Sequence, residues 1–288
     1  MNNFYFVILN YNNYTDTVEC VESLINSVPT TNIIIVDNNS SDASGLLLKE
    51  KFNKCVLLLL DTNDGYAAGN NVGITYAIKA GAEYICVLNN DVTLPENFVI
   101  EALKAFNECV DLDIIGPLIC EYSNPNYVQS AGAMMKLHIG RGFFLHMGEL
   151  ADECDLTGDQ PDYLSGACFV ARKKVFTDLG LLPELYFLYY EETDWFFLAQ
   201  EKHINFSCNV RLRAYHKGSA TVSMLHGISR YYLTRNQVIF ERRKANCYQF
   251  LSFMLYSFFR WIYHFAKTHK SVFSLKAFYD GLRFNLPK

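Results

Sequence analysis

The stretch "YICVLNNDVTLPENF", residues 84–98, ends an apolar run with Asn89, Asn90 and Asp91. A carboxylate closing a strand that reads as buried either turns the chain, as Asn and Asp do through their own side chains, or holds something positive, such as a divalent ion. A second group lies in "YYEETDW", residues 189–195, where Glu191, Glu192 and Asp194 place three carboxylates in four positions ahead of "WFFLAQ". Acidic residues in a first helical turn complement the helix dipole; a carboxylate in a cleft can also take a proton from a hydroxyl. His216, in "AYHKGSA", offers an imidazole. Imidazole suits a transition metal beside carboxylate oxygens, although a lone histidine near a strand end is more often an ordinary polar residue.

These groups need elements to hold them together. Strand-like runs at Phe4–Leu9, Ile33–Val36, Val56–Leu60, Tyr84–Leu88 and Ile114–Ile119 alternate with segments of helical length. Such alternation predicts an α/β fold with a mostly parallel sheet flanked by helices. The helices have starts at Thr15, at Ser41 or Ser44, and at Pro95. In open sheets of this kind ligands sit beyond the carboxyl ends of the strands. That rim collects Asn10, Tyr11 and Asn12, then Asp37–Asn39, Asp61–Asp64 and Asn89–Asp91. Any one of these could be a turn, but four in succession point to a site. The first strand runs into "NYNNYTD" rather than a G-x-G-x-x-G turn, and no P-loop occurs; the Gly-rich piece, "DGYAAGNNVG", follows the third strand. A phosphate-bearing ligand would therefore need a metal to balance its charge, and Asp91 is where that ion would sit.

The 288 residues, half of them hydrophobic, suffice for one sizeable domain or a domain with an appendage. Nine scattered cysteines read as reduced core residues rather than a thiolate metal site or a disulfide framework. "NNFYFVILNYNN" has neither a basic start nor a small-residue cleavage site, which points to the cytosol. Charge divides unevenly: Lys and Arg against Asp and Glu number 14 to 28 over residues 1–225 but 11 to 2 over residues 226–288. Within that basic tail "ANCYQFLSFMLYSFFRWIYHFAKTHK" is rich in aromatics, flanked by Arg242, Arg243 and Lys244 and closed by Lys267 and Lys270. Its charge-free run, 245–259, is shorter than the roughly 20 residues a bilayer span needs. A helix lying on an anionic membrane surface fits better; packing on the main domain is the other expectation. Nothing in the sequence suggests a nucleic-acid partner.

The motifs "VILNYN", "IIIVDNNSSD", "NDGYAAGNNVGI", "VLNNDV", "LSGACFVARKKVFTDLGLLPELYFLYYEETDW" and "AYHKGSATVS", in this order, resemble family 2 glycosyltransferases of the GT-A fold, and most of all the bacterial rhamnosyltransferase-like subgroup. The likeness covers about residues 3–240 and extends loosely to "RYYLTRNQ" and "FYDGLRFN". It implies a glycosyltransferase domain over residues 1–225, with a nucleotide-sugar half to about residue 120 and an acceptor half beyond, followed by a helical, membrane-associating extension over 226–288. By the same resemblance Asp37 would accept from the imide N–H of uracil or thymine, Asn10, Tyr11 and Asn12 would line the nucleoside pocket, and Asn63, Gly65 and Asn71 would shape it. Asp91 matches the last carboxylate of the family's D-x-D motif, whose first position is here Asn89, on the nucleotide side. His216 matches a second ligand to Mn²⁺ or Mg²⁺ found in some members. Glu192 aligns with the general base, with Glu191 as its fallback, while Asp194 would orient the acceptor sugar and Trp195 offer it an aromatic wall.

Those roles imply an inverting, metal-dependent transfer of a sugar, rhamnose by subgroup resemblance, from a dTDP or UDP donor to a growing, lipid-linked cell-surface glycan. The enzyme would work at the inner face of the cytoplasmic membrane. Galactofuranose, hexose or N-acetylhexosamine transfer, or a silent nucleotide-sugar-binding subunit, would use the same residues. A sugar-nucleotide pyrophosphorylase should instead carry a Gly-rich loop after the first strand, which "NYNNYTD" is not.

Overall fold

The computed structural model describes residues 3–218, 226–268 and 275–286. Lys270 and the "SATVS" part of the His216 motif lie outside them. The chain opens with β1 (Phe4–Asn10), α1 (Tyr14–Glu22), β2 (Ile33–Asp37), α2 (Ser44–Lys51), β3 (Val56–Leu59), α3 (Tyr66–Lys79) and β4 (Tyr84–Asn89). After the short β5 (Val92–Thr93) come α4 (Phe98–Glu108), β6 (Ile114–Glu121), β7 (Val128–Ser130) and a two-stranded hairpin of β8 (Ala133–Lys136) and β9 (Arg141–Phe144). Then follow β10 (Cys168–Arg172), α5 (Lys173–Asp178), α6 (Glu191–Glu201) and β11 (Phe206–His216). Three C-terminal helices, His226–Lys244, Cys247–Thr268 and Leu275–Arg283, complete the described chain.

The main sheet runs β3-β2-β1-β4-β10-β6-β11-β5, with β7 paired to β6. The first four of these strands are parallel, β10 is antiparallel to both β4 and β6, and β11 is parallel to β6. The mostly parallel sheet is therefore as the alternation predicts, but the fifth expected strand does not adjoin the fourth. Strand β10, from the second half of the chain, is laid between them.

The continuous apolar character of β1 follows from cover on both faces. Phe4, Phe6 and Ile8 point into one core with Val21 and Leu24 and with Phe98, Ala102 and Phe106 of α4. Tyr5 and Val7 point into the other with Ile74 and Ala77 of α3 and Trp195 and Phe196 of α6. Close approach of α3 depends on glycine: a Cβ at Gly73 would lie 2.4 Å from Val7 Cγ1 and one at Gly69 2.4 Å from Leu9 Cδ1. Two helix starts are displaced from their expected positions. Helix α1 begins one residue before Thr15, capped by Asn13, whose side chain accepts from the Asp16 backbone N–H; α4 begins at Phe98, after a turn in which the Phe98 N–H bonds the Pro95 carbonyl.

The change in charge at residue 225 does not coincide with a change in packing. In helix His226–Lys244 the side chains of Asn236, Val238, Ile239, Phe240 and Glu241 are fully buried, and Ile239 and Phe240 share a core with Tyr186. The next helix differs. Leu251, Leu255, Phe258, Phe259, Ile262 and Tyr263 are exposed along it at helical spacing. Among the described residues no helix is long and apolar enough to cross a membrane.

Candidate active site

A cavity of about 360 Å³ opens at the carboxyl ends of the parallel strands. One wall is the strand rim; the opposite wall is residues 187–189, with Ile228 from the first C-terminal helix and His216 from the end of β11.

Of the rim residues expected at a nucleotide, Tyr11, Asn63, Gly65 and Asn89 line this cavity. Asn10 and Asp37 stand behind it, buried and engaged with each other. The Asn10 amide donates to Asp37 at 2.7 Å and to the Ser44 hydroxyl at 2.8 Å, and its oxygen accepts from Thr17. The other Asp37 oxygen accepts the Ser40 backbone N–H at 3.0 Å, and a Cβ at Gly45 would fall 2.6 Å from the carboxyl group. The carboxylate implied to meet a base thus takes one protein donor on each oxygen and keeps a second acceptor position on each. Asn12, with φ 50°, accepts the Ser41 N–H at 2.7 Å and shapes the 40–42 loop. Asn71 corrects the expectation more firmly. It lies on α3, donates to the Leu182 carbonyl and Glu184, accepts the Leu182 N–H, and so splices the helix to residues 182–184. Its place in mid-helix turns it from the cavity.

Gly65 explains the Gly-rich turn. Its φ is +100°, and a Cβ there would lie 2.3 Å from the Phe187 carbonyl oxygen, which accepts the Tyr66 N–H at 2.7 Å. The Tyr66 hydroxyl stands 2.9 Å from both Asn89 Oδ1 and the Gly166 carbonyl. Asn89 is therefore held by a phenol at the place where the family pattern has a charge.

Asp91 is nearly buried, and its Oδ1 faces His216 Nε2 at 3.3 Å. His216 Nδ1 lies 2.5 Å from Gln129 Oε1. An amide oxygen can only accept, so Nδ1–H donates to Gln129 and the ring is set with Nε2 toward the Asp91 carboxylate. A carboxylate and an imidazole nitrogen brought this close are a donor pair suited to a divalent cation, and a hydrogen bond to the far ring nitrogen is how metal-ligating histidines are commonly oriented.

The acidic motif divides. Glu191 is buried with Oε2 unpartnered, and burial, reinforced by the charge of Glu192, pushes its pKa well above the ordinary range. Glu192 is partly exposed; burial raises its pKa as well. Of the two, Glu192 ionises first, because its carboxylate loses less water. It packs on Gly166, where a Cβ would come 3.2 Å from Glu192 Cγ, one residue contact from Tyr66 and the cavity.

Asp194 and Trp195 face elsewhere, against the expectation of an acceptor role. Asp194 Oδ2 accepts from the Tyr186 hydroxyl at 3.0 Å and from Arg243 Nε at 2.9 Å, while Lys244 Nζ is 3.3 Å from Oδ1. Trp195 is in the core against Phe169, Phe176 and Phe196, its indole N–H donating to the Gly180 carbonyl. Asp194 is two positions from Glu192 and so lies on the other side of α6, while Trp195, three positions on, is drawn into the core by its aromatic neighbours. The cavity residues that sequence reasoning passed over are Leu9, Tyr66, Phe187, Leu188, Tyr189 and Ile228. Tyr66 adjoins a motif glycine, but 187–189 carries no periodic signal and Ile228 comes from a segment read as tail.

A parallel four-strand rim with the cavity at its carboxyl ends, and one antiparallel strand returned into the sheet, define a GT-A domain. The chain belongs to glycosyl transferase family 2, whose model matches residues 5–180. It is 26% identical over 203 residues to a dTDP-rhamnosyl transferase, RfbF, of Shigella flexneri. It is 27% identical over 202 residues to the low-salt glycan biosynthesis hexosyltransferase Agl10 of Haloferax volcanii. These alignments cover 67% and 69% of this chain and 62% of each relative. Among solved structures, TarS of S. aureus in complex with UDP-GlcNAc shares the fold with a TM-score of 0.57 at 18% identity, over 98% of this chain and 80% of that one. GalNAc-T7 with UDP, GalNAc and Mn²⁺ gives 0.60 at 13%, over 94% and 58%.

Proposed function

We propose that this chain is an inverting, metal-dependent glycosyltransferase that moves a sugar, L-rhamnose in the first instance, from a dTDP or UDP donor to a hydroxyl of a growing, lipid-linked glycan. The observation that carries the reading is the meeting, at one cavity, of the strand rim and the Asp91–His216 pair, with Glu192 of α6 packed on Gly166, whose carbonyl accepts from the hydroxyl of the cavity residue Tyr66. The rhamnosyl and hexosyl activities named for the two relatives support the sugar class.

Asp91 and His216 are the residues that would hold Mn²⁺ or Mg²⁺, which when bound supplies positive charge against the donor diphosphate. Tyr11 and Asn63 line the nucleoside end, and Gly65 lets the Gly-rich turn close against Phe187. Asn10, Asn12 and Asp37 act from behind, keeping the rim loops in place. Glu192 accepts the proton of the acceptor hydroxyl as its oxygen bonds to the anomeric carbon. The bond to the diphosphate breaks on the opposite face, so a single displacement inverts the configuration. Burial and the charge of Glu192 raise the Glu191 pKa well above the ordinary range, which favours Glu192 over its neighbour as the group that takes that proton. The exposed apolar stripe on Cys247–Thr268, in a tail of net positive charge, would rest on the inner face of an anionic membrane and bring a lipid-linked acceptor to the cavity.

The test is calorimetric titration of UDP and dTDP with and without Mn²⁺, run beside donor hydrolysis. Wild-type protein should bind more tightly with Mn²⁺ and release sugar. Asp91→Asn should lose the Mn²⁺ effect, and His216→Ala should lose part of it. Nucleotide binding without sugar release would make the chain a silent binding subunit, and no binding at all would end the reading.

A further inference from the structure

We infer that Asn236, on the first C-terminal helix, is a positioning residue for the donor site: it holds the wall formed by residues 186–190 in its left-handed course. This rests on reading the cavity as the donor site.

The wall is unusual backbone. Phe187, Tyr189 and Tyr190 have φ of 67°, 69° and 77°, so three of the eight non-glycine residues with positive φ among those described fall within four positions. None is Asn or Asp, the types that tolerate this region through local hydrogen bonds, and an aromatic side chain adopts it only where its surroundings enforce it. The enforcement comes from outside the segment. Asn236 is fully buried, and its Nδ2 lies 2.8 Å from the Tyr186 carbonyl, 2.7 Å from that of Leu188 and 3.0 Å from that of Tyr189. Two N–H bonds thus serve three carbonyl oxygens. The amide orientation is fixed by that crowd, because the opposite flip would put Oδ1 against three acceptors; Oδ1 accordingly has no partner. Arg235, the preceding residue, donates to the Leu185 carbonyl at 3.0 Å, and Tyr232, one turn earlier, stacks on Phe187 with ring centroids 4.8 Å apart. The helix reads this segment carbonyl by carbonyl.

Two parts of the site depend on that course. Phe187, Leu188 and Tyr189 line the cavity, and the Phe187 carbonyl receives the Tyr66 N–H that joins the wall to the Gly-rich turn. Tyr190 is the last residue before α6, so its left-handed φ sets where Glu191 and Glu192 emerge. An apolar residue at 236 would strand one buried and two half-buried carbonyls, and the segment would relax to ordinary φ values, withdrawing the wall.

Titration of UDP and dTDP with Mn²⁺ into full-length protein and into Asn236→Ala and Asn236→Ser tests this. Val238→Ala is the control, since Val238 is equally buried on the same helix but packs on Gly281. Nucleotide affinity should fall at least tenfold in Asn236→Ala and less in Asn236→Ser, whose hydroxyl keeps one donor, while Val238→Ala loses thermal stability but binds as wild type. Amide hydrogen exchange should quicken at residues 187–191 in the Asn236 variants alone. Wild-type affinity in Asn236→Ala, equal losses in Asn236→Ala and Val238→Ala, or failure of both Asn236 variants to fold would overturn the inference. Absence of nucleotide binding by the wild-type protein would instead defeat the donor-site reading itself.

Discussion

Replacing Asp194 with Asn separates a structural carboxylate from an acceptor-binding one. Its side chain is 3% exposed and is met by Arg243 at 2.9 Å and Lys244 at 3.3 Å, themselves 25% and 7% exposed, besides the Tyr186 hydroxyl. Removing one member of a buried ion pair leaves the other charge uncompensated and costs about 3–5 kcal/mol. Lys244 keeps Glu201 at 2.9 Å, so the lower figure, about 3 kcal/mol, applies. Unfolding entropy near 60 °C is about 2.1 cal/mol/K per residue, or roughly 0.6 kcal/mol/K for this chain, which converts the loss to a fall in Tm of about 5 °C. The assay is a thermal melt at neutral pH, paired with nucleotide titration below the transition. Asp194→Asn should melt early yet bind nucleotide as wild type. A variant that melts within about 1 °C of wild type but no longer transfers sugar would refute the assignment and return Asp194 to the acceptor.

Glu192→Gln keeps shape and removes the proton acceptor; transfer should fall by roughly 10² to 10⁴ while the nucleotide dissociation constant is unchanged. Because burial raises the Glu192 pKa above its ordinary 4.5, wild-type transfer should rise with pH through that raised value, and the variant should lose this acid limb. Equal loss of donor binding would place Glu192 in the donor site instead. Full-length protein should co-sediment with anionic vesicles at low salt and release partly at high salt, as screening demands. Leu255→Asp, in the exposed stripe, should abolish co-sedimentation without changing nucleotide affinity; equal recovery in the supernatant with and without vesicles would remove the membrane from the account.

The alternation of apolar runs with helical segments determined the α/β class, because an uninterrupted apolar strand needs cover on both faces. It also placed Asn10–Asn12, Asp37–Asn39 and Asn89–Asp91 on one rim, since parallel strands share their carboxyl ends. It placed the acidic first turn of α6, because "YYEETDW" leads directly into an apolar helix. The rim's order within a loop was beyond it: Asn10 and Asp37 satisfy each other, and Asn71 satisfies Leu182, which lies 111 positions along the chain. Local spacing carries no information about such partners. The spacing of Glu192 and Asp194, two steps of about 100° around one helix, likewise says nothing of their neighbours; only packing sets Glu192 against Gly166 and Asp194 against Arg243. The basic tail reads by composition as an appendage. Its first helix nonetheless supplies Ile228 to the cavity and Asn236 to its wall. Those contacts exist because the carbonyls of Tyr186, Leu188 and Tyr189, 47 to 50 residues upstream, take their hydrogen bonds from that helix.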